Sequence, residues 1–474
     1  MPLSLCTPWR VLYAMFLTLV LVNAQLPSEE DFTPKNTIAR DVCILGGGAT
    51  GTYAAIRLKD MDKSVVVVER NDHLGGHTET LYIENGSYVD YGVQGVFNYN
   101  ISRNFFKRLG MQWKPAIPGS LSNKYVNFKT GHEVPPPSTA TEAMEALRIY
   151  RATIQKFDSL KDGVYNLPDP VPEELLWPFS KFVKKYKFEA ALSVIHSFAN
   201  ALGDMMATPT LYVIQLFGIP HIDIFLQGGY IRPEHGMYEL YRKAGEVLGA
   251  DVLYHSQAIK AIRPDSNASL ITIIAQNTTS GKKTLIKAKK LLVTFPPILP
   301  NLGPLDLEPT ETSLFARFLW KAYYIAVLKG TGIPNNINVH NADPHQQPGS
   351  LPRSPFQWAL QDMGPQNYLA SKIIGDAHFS ASHACDLIVA DLHRMRSAGT
   401  FAIREDWEMA AFGSHTPISA MVSVEDIQAG FYRRLYALQG HRHTFWTGLA
   451  LASDYSALLW QYTDSVLGEM WEAG

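Results

Sequence analysis

The sequence predicts a doubly wound α/β domain of the Rossmann type, interrupted by a discontinuous α+β substrate domain. The first observation is an apolar strand at residues 42–45 that leads directly into a glycine turn at residues 46–51. The second is a helical pattern over residues 49–60, followed by a run of valines from residue 65. Strand, turn, helix and strand in this order indicate a βαβ unit.

The glycine turn has the spacing of a dinucleotide-binding site. Gly46 permits the tight turn, Gly48 lets the backbone approach a pyrophosphate, and Gly51 lets the helix pack closely on the strand. Glu69 ends the next strand, 23 positions after Gly46. A carboxylate there can accept hydrogen bonds from ribose hydroxyls and would repel a ribose phosphate. A dinucleotide other than NADP is therefore predicted.

Length and composition limit the remaining possibilities. With 474 residues, 46% of them hydrophobic, the chain can bury a core large enough for two domains or for one domain with a large insertion. The formal net charge of -2 provides no basic field, so no nucleic-acid partner is expected.

Two local motifs could suggest other ligands but have simpler interpretations. The lysines of residues 181–187 alternate with aromatic residues and indicate an amphipathic helix. Histidines 441 and 443 lack the cysteine or acidic companions of a metal site, so no metal is expected.

The order of the patterns predicts how the domains are divided. Three prolines at residues 135–137 mark a break, and a mainly helical insertion follows to about Gly218. Strands are expected at residues 252–262, 270–276 and 291–295, and a strand, turn and helix near Gly448. The expected parts are a linker (25–37), a nucleotide-binding domain in three segments (38–130, 221–310 and 431–474), the helical insertion (131–220) and a second part of the substrate domain (311–430).

The amino terminus has the pattern of a secretory signal. Arg10 precedes an apolar run at residues 11–22, and Ala24 offers a cleavage site, so residues 1–24 are expected to be removed. The run is short for a bilayer, and no stable membrane span is expected after cleavage. A secreted or secretory-pathway lumen location fits the four glycosylation acceptors Asn85, Asn100, Asn267 and Asn277. Cys43 lies in a buried strand pattern, so a disulfide to Cys385 is not expected.

Further motifs resemble the flavin-containing amine oxidase superfamily. Glu69-Arg70 is followed by Gly75-Gly76-His77-Thr78, similar to the family's segment beside the phosphates and the flavin. Residues 90–92 and 227–229 also match, and residues 445–448 resemble the family's carboxyl-terminal turn against the flavin. The resemblance implies FAD as the cofactor. It also implies a set of cofactor-binding residues beyond the first turn, namely Arg70, Gly75, Gly76, His77, Thr78, Ile259 (at the adenine) and Gly448.

Within that superfamily the sequence is similar to the fungal β-cyclopiazonate dehydrogenase-like group. The similarity lies in residues 75–80, 430–440 and 453–460. It implies an FAD-dependent oxidoreductase that removes two electrons from a small secondary metabolite, in the named case with closure of a ring. Molecular oxygen or another electron acceptor would then reoxidise the flavin.

Two departures argue against a generic amine oxidase. Ala450 stands where such enzymes usually carry Glu, and Phe445 stands where Tyr is common. Two alternatives remain open: a flavin amine oxidase that produces hydrogen peroxide, and a non-catalytic binding or escort protein with the same fold. A redox-neutral isomerisation or cyclisation at the flavin is a third. No cysteine near residue 448 offers a thioether link to flavin, and His77 is expected to pack beside the ring rather than bond to it covalently.

Three residues are candidates for direct roles in catalysis. Phe445 and Trp446 are candidates for an aromatic wall at the flavin, the alternative being plain core residues. Lys321 loosely resembles an amine oxidase lysine that contacts the flavin through water, and its charge could promote reaction with oxygen. A solvated lysine is the alternative.

Overall fold

The computed structural model describes residues 27–84, 86–116, 121–265 and 270–472. The proposed signal peptide (1–24) and the acceptors Asn85 and Asn267 lie outside these ranges. The strands are β1 (Thr37–Leu45), β2 (Val65–Val68), β3 (Thr80–Tyr82), β4 (Tyr88–Asp90), β5 (Val96–Phe97), β6 (Trp113–Pro115), β7 (Ser122–Val126), β8 (Tyr230–Pro233), β9 (Val252–Leu253), β10 (Ser256–Ile262), β11 (Ile271–Asn277), β12 (Lys283–Val293), β13 (Leu319–Lys329), β14 (Ile337–Asn341), β15 (Phe356–Asp362), β16 (Tyr368–Asp376), β17 (Glu408–Ser414), β18 (Ile418–Met421) and β19 (Thr444–Trp446).

The α-helices are α1 (Ala49–Asp60), α2 (Asn100–Arg108), α3 (Ala140–Ile154), α4 (Glu173–Leu176), α5 (Phe179–Tyr186), α6 (Leu192–Ala199), α7 (Thr210–Leu216), α8 (Ile219–Gln227), α9 (Tyr238–Leu248), α10 (Leu299–Leu302), α11 (Pro309–Phe315), α12 (Ala381–Ser397), α13 (Val424–Gln428), α14 (Phe431–Tyr436) and α15 (Ser456–Glu472). None of the helices within the described ranges is long and apolar enough to cross a bilayer.

The first sheet has the strand order β10-β11-β12-β1-β2-β9, and β19 also pairs with β12. β1 runs parallel to β2 and to β12, and β19 runs parallel to β12 with Phe445 opposite Leu292. β10 and β11 form an antiparallel extension. The central parts of the parallel strands, residues 42–45, 65–68 and 291–293, are apolar because both of their faces are buried.

The two faces of β1 belong to different cores. Val42 and Ile44 pack with the helices α1, α9 and α15, whereas Cys43 and Leu45 pack into the cluster that includes the helical insertion. Cys43 is fully buried and forms no disulfide with Cys385. Layers on both faces of a mainly parallel sheet confirm the predicted doubly wound α/β class.

The second sheet has the order β17-β13-β16-β15-β14-β7, with β18 paired to β13. Side chains of β13 alternate between its faces. Ala322 and Tyr324 pack beneath α12, while Tyr323 and Ile325 face the opposite way. That opposite face forms one wall of the cavity described below.

The helical insertion extends beyond its predicted limit near Gly218. Gly218 is the N-cap of α8 instead, and Pro220 lies in the first turn of that helix, where its missing N–H costs no hydrogen bond. The lysine-rich segment forms α5, which buries Phe179 and Phe182 and leaves its lysines at the surface as predicted. β12 begins eight residues before the predicted strand at 291, since its lysines alternate with buried residues over that length.

Candidate functional site

A cavity of about 1140 Å³ begins at the carboxyl ends of β1 and β2 and continues to the second sheet. Ligands of doubly wound folds bind at this edge. All but one of the cofactor-binding residues predicted from sequence line this cavity: Gly46, Gly48, Glu69, Arg70, Gly75, Gly76, His77, Thr78, Ile259 and Gly448. The exception is Gly51, which faces the strand rather than the cavity.

The glycine turn has the geometry that its spacing predicts. Gly46 has φ +101°, a value that favours glycine. A Cβ on Gly51 would lie 1.9 Å from the carbonyl oxygen of Gly46, so only glycine permits this approach of α1 to β1. A Cβ on Gly48 would meet only the Cα of Gly76, at 3.9 Å. The space over Gly48 is therefore open, and no side chain caps the first turn of α1. Its amides are available to a phosphate group.

The second glycine pair packs against this turn. The amide of Gly75 donates to the carbonyl oxygen of Gly47 at 2.8 Å, and a Cβ on Gly76 would lie 3.0 Å from the Cα of Gly48. Glu69 orders both loops, because its carboxylate accepts hydrogen bonds from the amides of Gly47 (2.6 Å) and Asn71 (2.8 Å). This buried carboxylate reaches the cavity at the position expected for a ribose contact.

Ile259 and Gly448 line the cavity from segments that are distant in sequence. Ile259 lies at an irregularity between β10 and β11, where the register shifts between Ala258 and Lys260. Ile259 therefore lies outside the regular pairing, and it lines the cavity. Gly448 has φ +116°, and a Cβ there would lie 2.9 Å from the carbonyl oxygen of Thr294.

Side chains rather than backbone form the inner end of the cavity. The imidazoles of His77 and His415 stack with centroids 4.2 Å apart and planes 10° from parallel, and the ring of Tyr323 lies 6.0 Å from that of His415. Burial lowers the pKa of His77 to about 4, with a smaller effect of the Arg70 guanidinium. Burial, His77 and Lys372 likewise hold the pKa of His415 well below its usual range. Both imidazoles are therefore neutral near pH 7.

Asp454 places a carboxyl group at this inner end, in the loop between Gly448 and α15. Burial raises its pKa to about 7, and nothing in the described parts of the chain donates a hydrogen bond to it. A chamber of about 20 Å³ adjoins Asp454 and is also lined by Gln215 and Tyr165. The side-chain amide of Gln215 is buried without a protein partner among the described residues. The chamber has room for one water molecule, which could bond to both side chains.

Lys372 supplies a positive charge to the cavity from β16. Its register partner on β13 is Ile325, and both side chains face the cavity. Its Nζ lies 5.4 Å from the centroid of the Trp358 ring. Burial lowers the pKa of Lys372 to about 8. In the described parts of the sequence, no group of three or more His, Cys, Asp or Glu residues has the arrangement of a metal site.

The amino-terminal part of the chain, residues 44–109, matches the family model of an NAD(P)-binding Rossmann-like domain. The full chain is similar to curated fungal proteins. It is 41% identical to beta-cyclopiazonate dehydrogenase of Aspergillus oryzae over 457 residues, 96% of this chain and 98% of that protein. It is 33% identical to an FAD-dependent oxidoreductase of Apiospora sacchari, over 89% of this chain and 90% of that protein.

The chain belongs to this family of FAD-dependent oxidoreductases. Solved structures agree on the fold of the family. A fatty acid isomerase from P. acnes superposes with a TM-score of 0.74 at 17% identity, over 91% of this chain and 99% of the other. A putrescine oxidase superposes with a TM-score of 0.63 at 16% identity, over 91% and 100%. The predicted family, its amine-oxidase-like fold, the oxidoreductase class and FAD as the family's cofactor are confirmed.

The residues present fit the family's cofactor. The open space over Gly48, the uncapped start of α1 and the carboxylate of Glu69 suit a pyrophosphate and its ribose. Thr78 has a buried hydroxyl without a hydrogen-bond partner among the described residues, although it lines the cavity. A bound FAD would give this hydroxyl a partner. The individual residue assignments stay predictions.

Phe445 and Trp446 do not form the expected aromatic wall. They are consecutive residues of β19, so their side chains point to opposite faces of the first sheet. Phe445 packs with the α1 and α15 layer, and Trp446 packs against Phe315, with ring centroids 4.9 Å apart. Neither side chain lines the cavity. Both belong to the core, which was the alternative that the sequence left open.

Lys321 is also absent from the cavity lining. It lies two residues before Tyr323 on β13, but its Nζ pairs with Asp376 at 2.8 Å. Gly203 covers it, since a Cβ on that glycine would lie 3.3 Å from Cε of Lys321. The segment before Gly203 therefore separates Lys321 from the cavity. The lysine that lines the cavity is Lys372.

The sequence did not identify most of the inner residues. Lys372 gave one signal, because it is a charged residue within the largely buried and otherwise uncharged run of residues 368–375 in β16. Asp454 belongs to the segment 453–460 that resembles the β-cyclopiazonate dehydrogenase-like group, but the sequence indicated no role for it. His415 and Tyr323 gave no signal, because only the fold brings them next to His77.

Proposed function

We propose that the protein is a secreted FAD-dependent oxidoreductase that removes two electrons from a small secondary metabolite. The observation that carries this proposal is one continuous cavity that joins the dinucleotide turn to a group of ionisable and aromatic side chains. The similarity to beta-cyclopiazonate dehydrogenase over 96% of the chain supports oxidation of a metabolite of that kind, and ring closure is included in the proposal.

FAD, when bound, supplies an acceptor for two electrons. The protein supplies orientation and exclusion of water, because the inner end of the cavity is enclosed by the second sheet and the segment around Ala201. Gly46, Gly48, Glu69 and the 75–78 loop would hold the cofactor.

Asp454 is the group best placed to accept the proton that such an oxidation releases. Its carboxyl faces the cavity, and burial keeps its pKa near 7, which suits a group that must accept and later release a proton. The water-sized chamber at Gln215 offers a route for that proton away from the substrate.

The test is an absorbance spectrum of the purified protein, followed by anaerobic addition of candidate metabolites and, separately, of simple amines. We expect a flavin spectrum that bleaches with a metabolite and not with amines. Bleaching by simple amines would instead establish an amine oxidase. A retained flavin that no compound reduces would favour a binding or escort protein, and absence of any restorable flavin would refute the proposal.

Entry into the secretory pathway is proposed from the apolar run at residues 11–22 and the glycosylation acceptors. Asn100 is exposed at the start of α2. Asn277 is engaged in a turn, where its side chain accepts hydrogen bonds from Ser280 and donates to the carbonyl oxygen of Tyr254. We therefore expect a glycan at Asn100 rather than Asn277, seen as a glycosidase-sensitive mass that Asn100→Gln removes. Cleavage after Ala24 would be read by amino-terminal sequencing.

A further inference from the structure

Lys372 is unusual among the lysines of the second sheet. Lys321 pairs with Asp376, and Lys329 pairs with Glu408 at 2.9 Å. Lys372 lies between them along the sheet but points into the cavity, and no described carboxylate or carbonyl oxygen bonds to its ammonium. Its nearest identified partner is the face of the Trp358 ring.

The carboxylates that line the cavity do not neutralise this charge. Glu69 is bound to the amides of Gly47 and Asn71 at the opposite end. The carboxylate of Glu79 accepts a hydrogen bond from the hydroxyl of Tyr91, and its Oε1 lies 4.0 Å from Nε2 of His415. Among the described residues, Asp454 forms no hydrogen bond or ion pair with Lys372. An ammonium group withdrawn from water without a counter-ion is costly unless a ligand provides one.

The two histidine rings at the inner end of the cavity do not neutralise the positive charge of Lys372. His77 and His415 are neutral near pH 7, so they neither repel nor bind an anion by charge. Burial lowers the pKa of Lys372 only to about 8, so the ammonium form predominates at neutral pH. The inner end of the cavity therefore carries a positive site at Lys372.

We propose that the substrate binds as an anion, whose carboxylate or enolate oxygens pair with the ammonium of Lys372. In calling this anion the substrate, we rely on the proposed function. A lysine presents a compact charge with three donors, which suits an oxygen anion of either kind. The same charge disfavours ammonium ligands, in agreement with the departures from the amine oxidase pattern.

The experiment measures binding rather than turnover. The probes are naphthalene-1-acetate and its uncharged amide, naphthalene-1-acetamide, which have nearly the same shape. Each is titrated by calorimetry into the purified holoenzyme and into Lys372→Met, Lys372→Arg and the control Lys329→Met. We expect the acid to bind the unaltered protein at least about tenfold more tightly than the amide, because only the acid gains the charge pair.

Lys372→Met should abolish that preference and leave binding of the amide within about twofold, whereas Lys372→Arg should retain most of the preference because its charge persists. Lys329→Met should behave as the unaltered protein. Equal affinities for acid and amide, including no measurable binding of either, would overturn the proposal. So would a Lys372→Met protein that keeps the preference, even if it reacts more slowly with oxygen.

The two proposals fail in distinguishable ways. If metabolites bleach the flavin but acid and amide bind alike, the oxidoreductase function stands and the anion site is wrong. If the acid is preferred through Lys372 but no compound reduces the flavin, the anion site stands and the proposed function is wrong. Calorimetry reports binding in either case, since it does not require a reducible flavin.

Discussion

The two ends of the cavity are built in different ways. The dinucleotide end consists of backbone from two loops within 32 residues, Gly46 to His77, where glycines allow close approach. The inner end consists of side chains from four distant places: His77, Tyr323, Lys372 and the 415–454 region. The first end recognises a shape common to many dinucleotides, whereas the second sets which molecule is oxidised. A fold can therefore keep its cofactor while its substrate changes.

The largest effect on cofactor binding should come from filling the backbone end. Gly48 has φ −68° and ψ −168°, which valine can adopt, and its open side faces the cavity. Gly48→Val should therefore fold but weaken flavin binding by about a hundredfold or more, or about 2.8 kcal/mol. Flavin content after gel filtration measures this. Gly48→Ala is the graded control and should retain more flavin. Unchanged flavin content in the valine variant would show that the pyrophosphate lies elsewhere.

A side chain of the inner end should affect chemistry and leave the cofactor in place. Asp454→Asn keeps the shape but cannot accept a proton, so flavin reduction by substrate should slow by about 10² to 10⁴-fold. Stopped-flow absorbance under anaerobic conditions measures that rate. Flavin content should be unaltered, because Asp454→Asn keeps the shape of the side chain and leaves the glycine turn intact.

The pH profile separates a proton acceptor from a structural role. The pKa of Asp454 is raised to about 7, so the reduction rate should fall about tenfold per pH unit below pH 7, as the carboxylate becomes protonated. The neighbouring tyrosines 165, 323 and 455 have pKa values above their ordinary range and do not titrate there. Asp454→Asn should lose this dependence. If Asp454→Asn reduces the flavin more slowly but keeps the same dependence on pH, Asp454 is not the proton acceptor.

Trp446 should show an effect on stability alone. It is 1% exposed in the core beneath the cavity, so Trp446→Leu should lower the free energy of unfolding by about 2 to 4 kcal/mol. Chemical denaturation measures this, and flavin content and reduction rate should stay within about twofold. If Trp446→Leu has normal stability but reduces the flavin more slowly, Trp446 belongs to the active site.

The smallest effect is expected at Lys321. Its partner Asp376 is 73% exposed, and such ion pairs contribute about 0 to 1 kcal/mol. Lys321→Met should therefore leave flavin reoxidation by oxygen within about twofold of the unaltered rate. If Lys321→Met slows reoxidation by oxygen but not flavin reduction, Lys321 promotes the reaction with oxygen after all.

Prediction from sequence succeeded where local pattern determines geometry. The turn at Gly46–Gly51, the position of Glu69 and the length of α1 follow from spacing and periodicity, because neighbours in sequence are neighbours in space. Phe445 and Trp446 were predicted at the flavin but lie in the core, because β19 pairs with β12 in the first sheet. The local sequence does not indicate that pairing. Lys372 gave a signal but no location and His415 gave none, since no local rule states that β16 and the loop after β17 meet at His77.

Strand β12 joins segments that are remote along the chain. It pairs with β1, β11 and β19, so residues 37–45 and 444–446 are held in one sheet although roughly 400 residues separate them. Contacts of such high sequence separation form slowly, because a long loop must close first. The cavity gains Gly448 and Asp454 only when β19 has docked. The complete cavity therefore depends on long-range pairing at β12 as well as on the local glycine turn.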